Sequence, residues 1–98
     1  MGKSEGVLAA QENGEWFFIT QYGTRLFRQA FQNVTPFWNG VAGVCVEEKW
    51  GFLTHSGTYL LPPVCSEIDM FIDSFAKVIL DGRMVYVCLN GNIVEPKW

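Results

Sequence analysis

The sequence predicts an all-β fold of three tandem three-stranded antiparallel units, about nine strands, packed as a compact repeat array or a partly open barrel. Three observations predict it. A period of 34 residues runs through the chain without a gap. Each copy contains alternating apolar residues, the pattern of a half-buried strand. Glycine-containing pairs separate the strands. A length of 98 residues leaves room for one domain.

The period defines the units. Gly23, Gly57 and Gly91 recur at this spacing. So do Trp16, Trp50 and Met84, and also Leu26, Leu60 and Val94. We therefore describe residues 1–98 as one domain with a first unit at 6–28, a second at 40–62 and a third at 74–96, joined by linkers 29–39 and 63–73.

Within a unit, the first strand is predicted from alternation such as Ala42, Val44 and Val46. Pairs such as Asn13 with Gly14 suit type I′ turns and predict a hairpin to the second strand. That strand is apolar on both faces, and a third strand follows the next turn. In the first linker, the sequence allows no more than one helical turn, around residues 29–32, because prolines occupy the corresponding stretch of the second unit.

The middle copy carries the most specific motif. Residues 37–44 read FWNGVAGV, residues 48–53 read EKWGFL, and residues 61–63 read LPP. This pattern resembles the WG repeat family of bacterial β-repeat proteins. Phe17 replaces the signature glycine in the first copy, Met84 and Val85 replace the Trp-Gly pair in the third, and Cys65 stands where the family usually has tyrosine. The resemblance implies an all-β repeat domain used for binding or scaffolding, and it supplies no catalytic residue.

Composition narrows the function classes. A net charge of −3 and an isoelectric point near 4.9 disfavour direct binding to nucleic acid or to anionic membranes. No apolar run approaches the roughly 20 residues that span a bilayer, and no secretory signal is evident, so we expect a cytoplasmic protein. Cys45, Cys65 and Cys88 lack the spacing of a disulfide framework or a metal site, which predicts buried thiols and neither metal nor cofactor.

Few residues could perform catalysis. Cys65 or Cys45 with His55 is the one nucleophile and base combination to consider. Each cysteine, however, occupies a repeat position that apolar or neutral residues fill in the other copies. The paired carboxylates that could serve hydrolysis are Glu47 with Glu48 and Glu67 with Asp69. Turn geometry and solubility already explain acids at these positions, and we predict that the chain is not an enzyme.

A protein-contact surface is the leading hypothesis. Six of the ten acids lie between residues 47 and 81, and Trp38 stands at a predicted turn where an aromatic side chain could anchor a partner. The predicted binding residues are Trp38, Glu47, Glu48, Glu67, Asp69, Asp73 and Asp81. An alternative is a small phage or bacterial inhibitor that blocks a nucleic-acid-handling host enzyme by acidic mimicry. A cysteine-dependent enzyme is the weakest hypothesis. Open end strands would also permit a homodimer.

Overall fold

The computed structural model describes residues 6–96 and contains strands and turns, with no α-helix in that range. The strands within it are β1 (Val7–Glu12), β2 (Glu15–Thr20), β3 (Arg25–Phe31), β4 (Asn33–Val34), β5 (Val41–Val46), β6 (Lys49–Thr54), β7 (Tyr59–Ile68), β8 (Phe75–Leu80), β9 (Arg83–Cys88) and β10 (Ile93–Val94). Equivalent strands of successive units begin 34 residues apart, as with Val7, Val41 and Phe75. The predicted all-β repeat fold is confirmed.

The strands form two antiparallel sheets. The first unit makes a three-stranded sheet in the order β1-β2-β3, and the remaining strands make a seven-stranded sheet in the order β10-β9-β8-β7-β6-β5-β4. Each sheet has two end strands among the residues described, so the array is open and does not close into a barrel. The molecule measures 47 × 29 × 18 Å along its principal axes, which fits units stacked in a row.

The first linker does not contain the single helical turn that the sequence allowed around residues 29–32. Residues 29–31 continue β3, and after Gln32 the chain enters β4, which pairs with β5 of the second unit. The Gln32 backbone N–H donates to the Cys45 carbonyl at 2.9 Å, so the backbone already bonds to a neighbouring strand and has no need of helical bonds. In the second linker, β7 likewise continues to Ile68 and pairs with β8 of the third unit.

The units stack face to face. We call the side that carries Val7, Val41 or Phe75 the leading face of its unit, and the opposite side the trailing face. One buried cluster joins the leading face of the first unit, through Val7 and Phe18, to the trailing face of the second. A second cluster joins the leading face of the second unit, through Val41 and Phe52, to the trailing face of the third. Burial of these apolar faces stabilises the array.

The predicted hairpin turns are confirmed by their backbone angles. Asn13 and Gly14 have φ values of 55° and 83°, and Asp81 and Gly82 have values of 54° and 78°. Positive φ at both central residues is the requirement of a type I′ turn, and it matches the twist of the paired strands. These turns lie at one end of the array. The turns that follow the second strand of each unit lie at the other end.

Candidate functional site

Each of the two linkers is connected to the next unit by a tight turn, and the two turns are equivalent. In the first, Trp38 and Val41 exchange backbone hydrogen bonds of 2.7 and 3.1 Å. Asn39 between them has a φ of 53°. In the second, Ile72 and Phe75 exchange bonds of 2.9 and 3.3 Å. We call residues 38–41 and 72–75 the junction turns.

A side chain ties the two junction turns together. Asn39 Nδ2 donates to the backbone oxygen of Asp73 at 3.3 Å, and these two residues occupy the same position in consecutive repeats. Trp38 and Ile72, each one residue earlier, therefore lie on neighbouring turns. Trp38 is 49% exposed and Ile72 is 68% exposed. Two large apolar side chains and the exposed Asp73 carboxylate thus share one end of the array.

The pattern around the turns accounts for this exposure. Phe37 and Phe71 are buried, and the residue after each one lies at the surface. Such alternation is typical of extended chain, whose successive side chains point to opposite faces. The sequence reasoning identified Trp38 but missed Ile72. The available signal was its repeat position, since Ile72 is the counterpart of Trp38.

Three of the predicted acidic residues lie at the opposite end. Glu47 and Glu48 form the turn between β5 and β6, and Asp81 begins the turn between β8 and β9. Cys65 in β7 pairs with Trp50 on one side and with Leu80 on the other, so it connects the strand ends beside these two turns. All three acids are exposed.

The remaining two acids, Glu67 and Asp69, lie at the end of β7 on the side of the array. Glu67 pairs with Ile79, and Asp69 lies 3.9 Å from the Lys77 ammonium group, with both side chains of that ion pair more than half exposed. Together they line a shallow hollow of about 330 Å³. An ion pair this exposed contributes little to stability.

The predicted binding set is therefore divided among three locations. Trp38 and Asp73 share the junction-turn end, Glu47, Glu48 and Asp81 share the hairpin end, and Glu67 and Asp69 lie between them. The structure brings the aromatic residue together with one acid and leaves the other five elsewhere. Ile72 is the apolar neighbour that the sequence reasoning did not include.

Cys45 and Cys65, the two candidate nucleophiles, are not brought together with His55. Cys45 and Cys65 both pair with Trp50 at the start of β6, whereas His55 follows the last residue of that strand. Five residues of extended strand separate these positions by about 16 Å. His55 instead stacks on Phe37, with ring centroids 4.2 Å apart. Burial, with a smaller effect of the Asp81 charge, raises the pKa of the Cys65 thiol, and burial also raises the pKa of Cys45. Both effects oppose thiolate formation.

Comparison with known proteins identifies the repeat. The model of the WG containing repeat matches residues 30–50 and 50–83, more than half of the chain. The chain belongs to the WG repeat family. No curated protein and no solved structure shows a significant match to it. The WG repeat is a non-enzymatic type of repeat. The match extends over two adjacent segments, so the count of three copies stays a prediction.

The WG signature of the second unit has a structural role. Trp50 is half-buried between β5 and β7, where it pairs with Cys45 and Cys65. Gly51 is buried, and a side chain at this position would meet the backbone of residues 61–63. Gly51 therefore allows the irregular part of β7 to lie close beside its partner strand β6. The signature residues are part of the scaffold that presents the junction turns.

Two further structural features bear on function. Within residues 6–96, no helix is long and apolar enough to cross a membrane. The same residues contain no group of three or more histidine, cysteine, aspartate or glutamate side chains placed to hold a metal ion.

Proposed function

We propose that this WG-repeat chain is a non-catalytic protein-binding module whose main contact surface is the junction-turn end. The observation that carries the proposal is the pair of exposed apolar residues on neighbouring turns, Trp38 at 49% and Ile72 at 68% exposure. Tryptophan combines a large apolar area with few rotatable bonds, and it is enriched among residues that dominate binding energy. The hydrogen bond from the Asn39 side chain links the two turns, and such a link lowers the ordering cost of binding.

Charge defines the partner's chemistry in this proposal. Asp73 adjoins the apolar pair, and the other acids, Glu47, Glu48, Glu67, Asp69 and Asp81, surround the array at greater distance. Acids at the edge of a contact surface accelerate association with a basic partner more than they strengthen the final complex. We therefore expect a partner with a basic rim around an apolar recess that receives Trp38.

The inhibitor hypothesis is the second candidate, and the exposure of all six acids of the predicted binding set favours it. Acidic mimicry of nucleic acid needs a row of negative charges. Here the acids occupy both ends and one side of the array, so the junction-turn surface supports general protein binding better. The inhibitor hypothesis predicts that the purified chain, at saturating concentration, abolishes the activity of a nucleic-acid-handling enzyme. Unchanged enzyme activity would contradict the inhibitor hypothesis.

Trp38→Ala tests the proposal against a matched control. The chain is used to capture partners from an extract of its own source, and the affinity of any stoichiometric partner is measured. We expect Trp38→Ala to weaken the complex by at least about 2 kcal/mol. Val64→Ala is the control, because Val64 is an apolar residue of similar exposure, 45%, that lies in β7 near the opposite, hairpin end. Equal binding by both variants would contradict the proposal.

Two further parts of the proposal are tested in the same preparations. Charge reversal at Asp73 should mainly slow association and should reduce its dependence on salt. Sedimentation of the isolated chain tests the homodimer. A cytoplasmic location also belongs to this proposal, since the three thiols at Cys45, Cys65 and Cys88 are unpaired and suit a reducing compartment.

A further inference from the structure

Two equivalent phenylalanines fill the junctions between units. Phe37 lies 5.0 Å from Phe18 of the first unit and 4.2 Å from His55 of the second, measured between ring centroids. Phe71, its counterpart one repeat later, lies 4.9 Å from Phe52 of the second unit. Both side chains are buried. Each one covers the leading face of one unit and contacts the cluster formed with the next unit.

The surfaces that these phenylalanines cover are equivalent. Phe37 shares a cluster with Val7, Phe18 and Leu26 of the first unit. Phe71 shares a cluster with Val41, Phe52 and Leu60 of the second unit. One repeat later, the same positions on the leading face of the third unit are Phe75, Tyr86 and Val94.

These third-unit residues form an exposed hollow. Together with Cys88 they line a cavity of about 240 Å³. Phe75 is 44% exposed and Val94 is 49% exposed, whereas their counterparts in the second unit are covered or half-buried. The rings of Phe75 and Tyr86 meet edge to face at 5.5 Å and form one wall. An apolar cavity of about 150 Å³ is already large enough to bind benzene.

We propose that the leading face of the third unit binds an extended segment of a partner protein and receives a phenylalanine side chain of that segment in this hollow. The inference rests on the proposed protein-binding function but assigns it a second surface, which adjoins the second junction turn at Phe75 and does not include Trp38. The chain's own Phe37 and Phe71 show which side chain the equivalent surfaces accept. A second copy stacked by its first unit would place Lys3 in that register, so self-stacking supplies no aromatic residue.

Lys77 defines a further feature of the segment. Gly43 is the counterpart of Lys77 in the second unit. A side chain added at Gly43 would meet the side chain of Ile68, and Ile68 is three residues before Phe71. Lys77 is opposite Tyr86 in the sheet and borders the hollow. A residue placed like Ile68 would therefore meet the Lys77 ammonium group, whose exposed ion pair with Asp69 at 3.9 Å is weak enough to be exchanged for a new partner. The preferred segment carries an acidic residue there, three positions before its phenylalanine.

A peptide titration tests the proposal. The probe is a synthetic peptide that copies residues 66–73 with Ile68→Glu, titrated into the ¹⁵N-labelled full chain and followed by NMR. We expect chemical-shift changes centred on the residues that line the hollow. A peptide that also carries Phe71→Ala should bind at least about tenfold more weakly, because the ring supplies most of the buried apolar area. Equal affinity of the two peptides, or no shifts at millimolar peptide, would overturn the proposal.

Matched protein variants locate the site. Val94→Glu places a charge in the hollow and should weaken peptide binding about tenfold or more. Ile93→Glu adds the same charge to the same strand, at a similarly exposed residue that faces the other side, and should leave binding nearly unchanged. Equal effects of the two variants would overturn the proposal.

Two controls distinguish binding at the hollow from binding at Trp38 and from self-association. Trp38→Ala leaves the hollow intact and should bind the peptide normally, so the outcome here is independent of whether the junction turns have a partner. Self-association of the unliganded chain that Val94→Glu removes would identify a second copy as the occupant and would overturn the proposal as well.

Discussion

Gly51 shows how one residue fixes the spacing of two strands. A Cβ atom at this position would lie 2.6 Å from the Pro62 carbonyl carbon and 2.7 Å from the Pro63 nitrogen, both of them backbone atoms. The β6–β7 pairing shifts register at this point, which brings the two backbones together. In the first unit Phe17 takes the place of Gly51, and there the third strand has a φ of 58° at Phe27. The glycine is therefore specific to the geometry of the second unit.

Gly51→Ala should destabilise the protein by about 1–3 kcal/mol, because backbone atoms cannot move aside for the added methyl group. Gly43→Ala is the matched control. Gly43 is also buried, in the neighbouring strand β5, but its new Cβ would meet the flexible end of the Ile68 side chain and the Thr35 methyl group. We expect a smaller loss for Gly43→Ala. Urea denaturation measures both free energies of unfolding, and an equal or larger loss for Gly43→Ala would refute the backbone clash as the cause.

At the scale of elements, the turn between β5 and β6 differs from its two counterparts. Glu47 and Glu48 adopt φ values of 51° and 67°, a left-handed conformation that costs an L-residue about 1 kcal/mol or more. The other two turns carry glycine at the second position, at Gly14 and Gly82. The second unit therefore keeps a carboxylate where backbone geometry favours glycine.

Glu48→Gly should raise the free energy of unfolding by about 0.5–1 kcal/mol, since glycine removes the left-handed strain. Glu48→Ala is the control: it removes the same charge but keeps a Cβ atom, so stability should change little. Thermal or urea denaturation distinguishes them. If Glu48→Ala stabilised the protein as much as Glu48→Gly, then relief of charge repulsion with Glu47, and not backbone strain, would be the cause.

The elements that sequence reasoning predicted are those whose causes are local. Alternation in residues such as Ala42 and Val44, with type I′ turn pairs, specifies the hairpins directly. The linkers were harder, because β4 and the second half of β7 extend as strands only through pairing with the next unit. Trp38 could be found from its turn position. The hollow on the third unit could not, since it depends on how Phe37 and Phe71 pack between stacked units.

At the scale of the whole molecule, the three units are joined unequally. Strand β7 runs without interruption from the second unit to the third and holds both in one seven-stranded sheet. Between β3 and β4 the strand breaks at Gln32, and the first unit forms a separate three-stranded sheet. In β1 only Val7 is buried, whereas five residues of β5 are buried. The first unit should therefore open at a lower free energy than the other two.

Native-state hydrogen exchange tests this order of opening. We expect amides in β2 to be less protected than the equivalent amides in β6, because opening of the first unit leaves the seven-stranded sheet paired. Uniform protection across both strands would show instead that the array opens as one cooperative unit.

Phe37→Ala and Phe71→Ala identify what holds the units together. Phe37 packs between the first and second units. Replacing it with alanine removes about 3–5 kcal/mol of packing in a well-filled core. Phe37→Ala should therefore lower the hydrogen-exchange protection of β2, while β9 keeps most of its protection. Phe71 lies where β7 already joins the second and third units through backbone hydrogen bonds. Its loss should lower protection in β6 and β9 together. If Phe37→Ala reduced protection equally in β2 and β9, the break at Gln32 would not separate two folding units, and the phenylalanines would be equivalent in energy as well as in position.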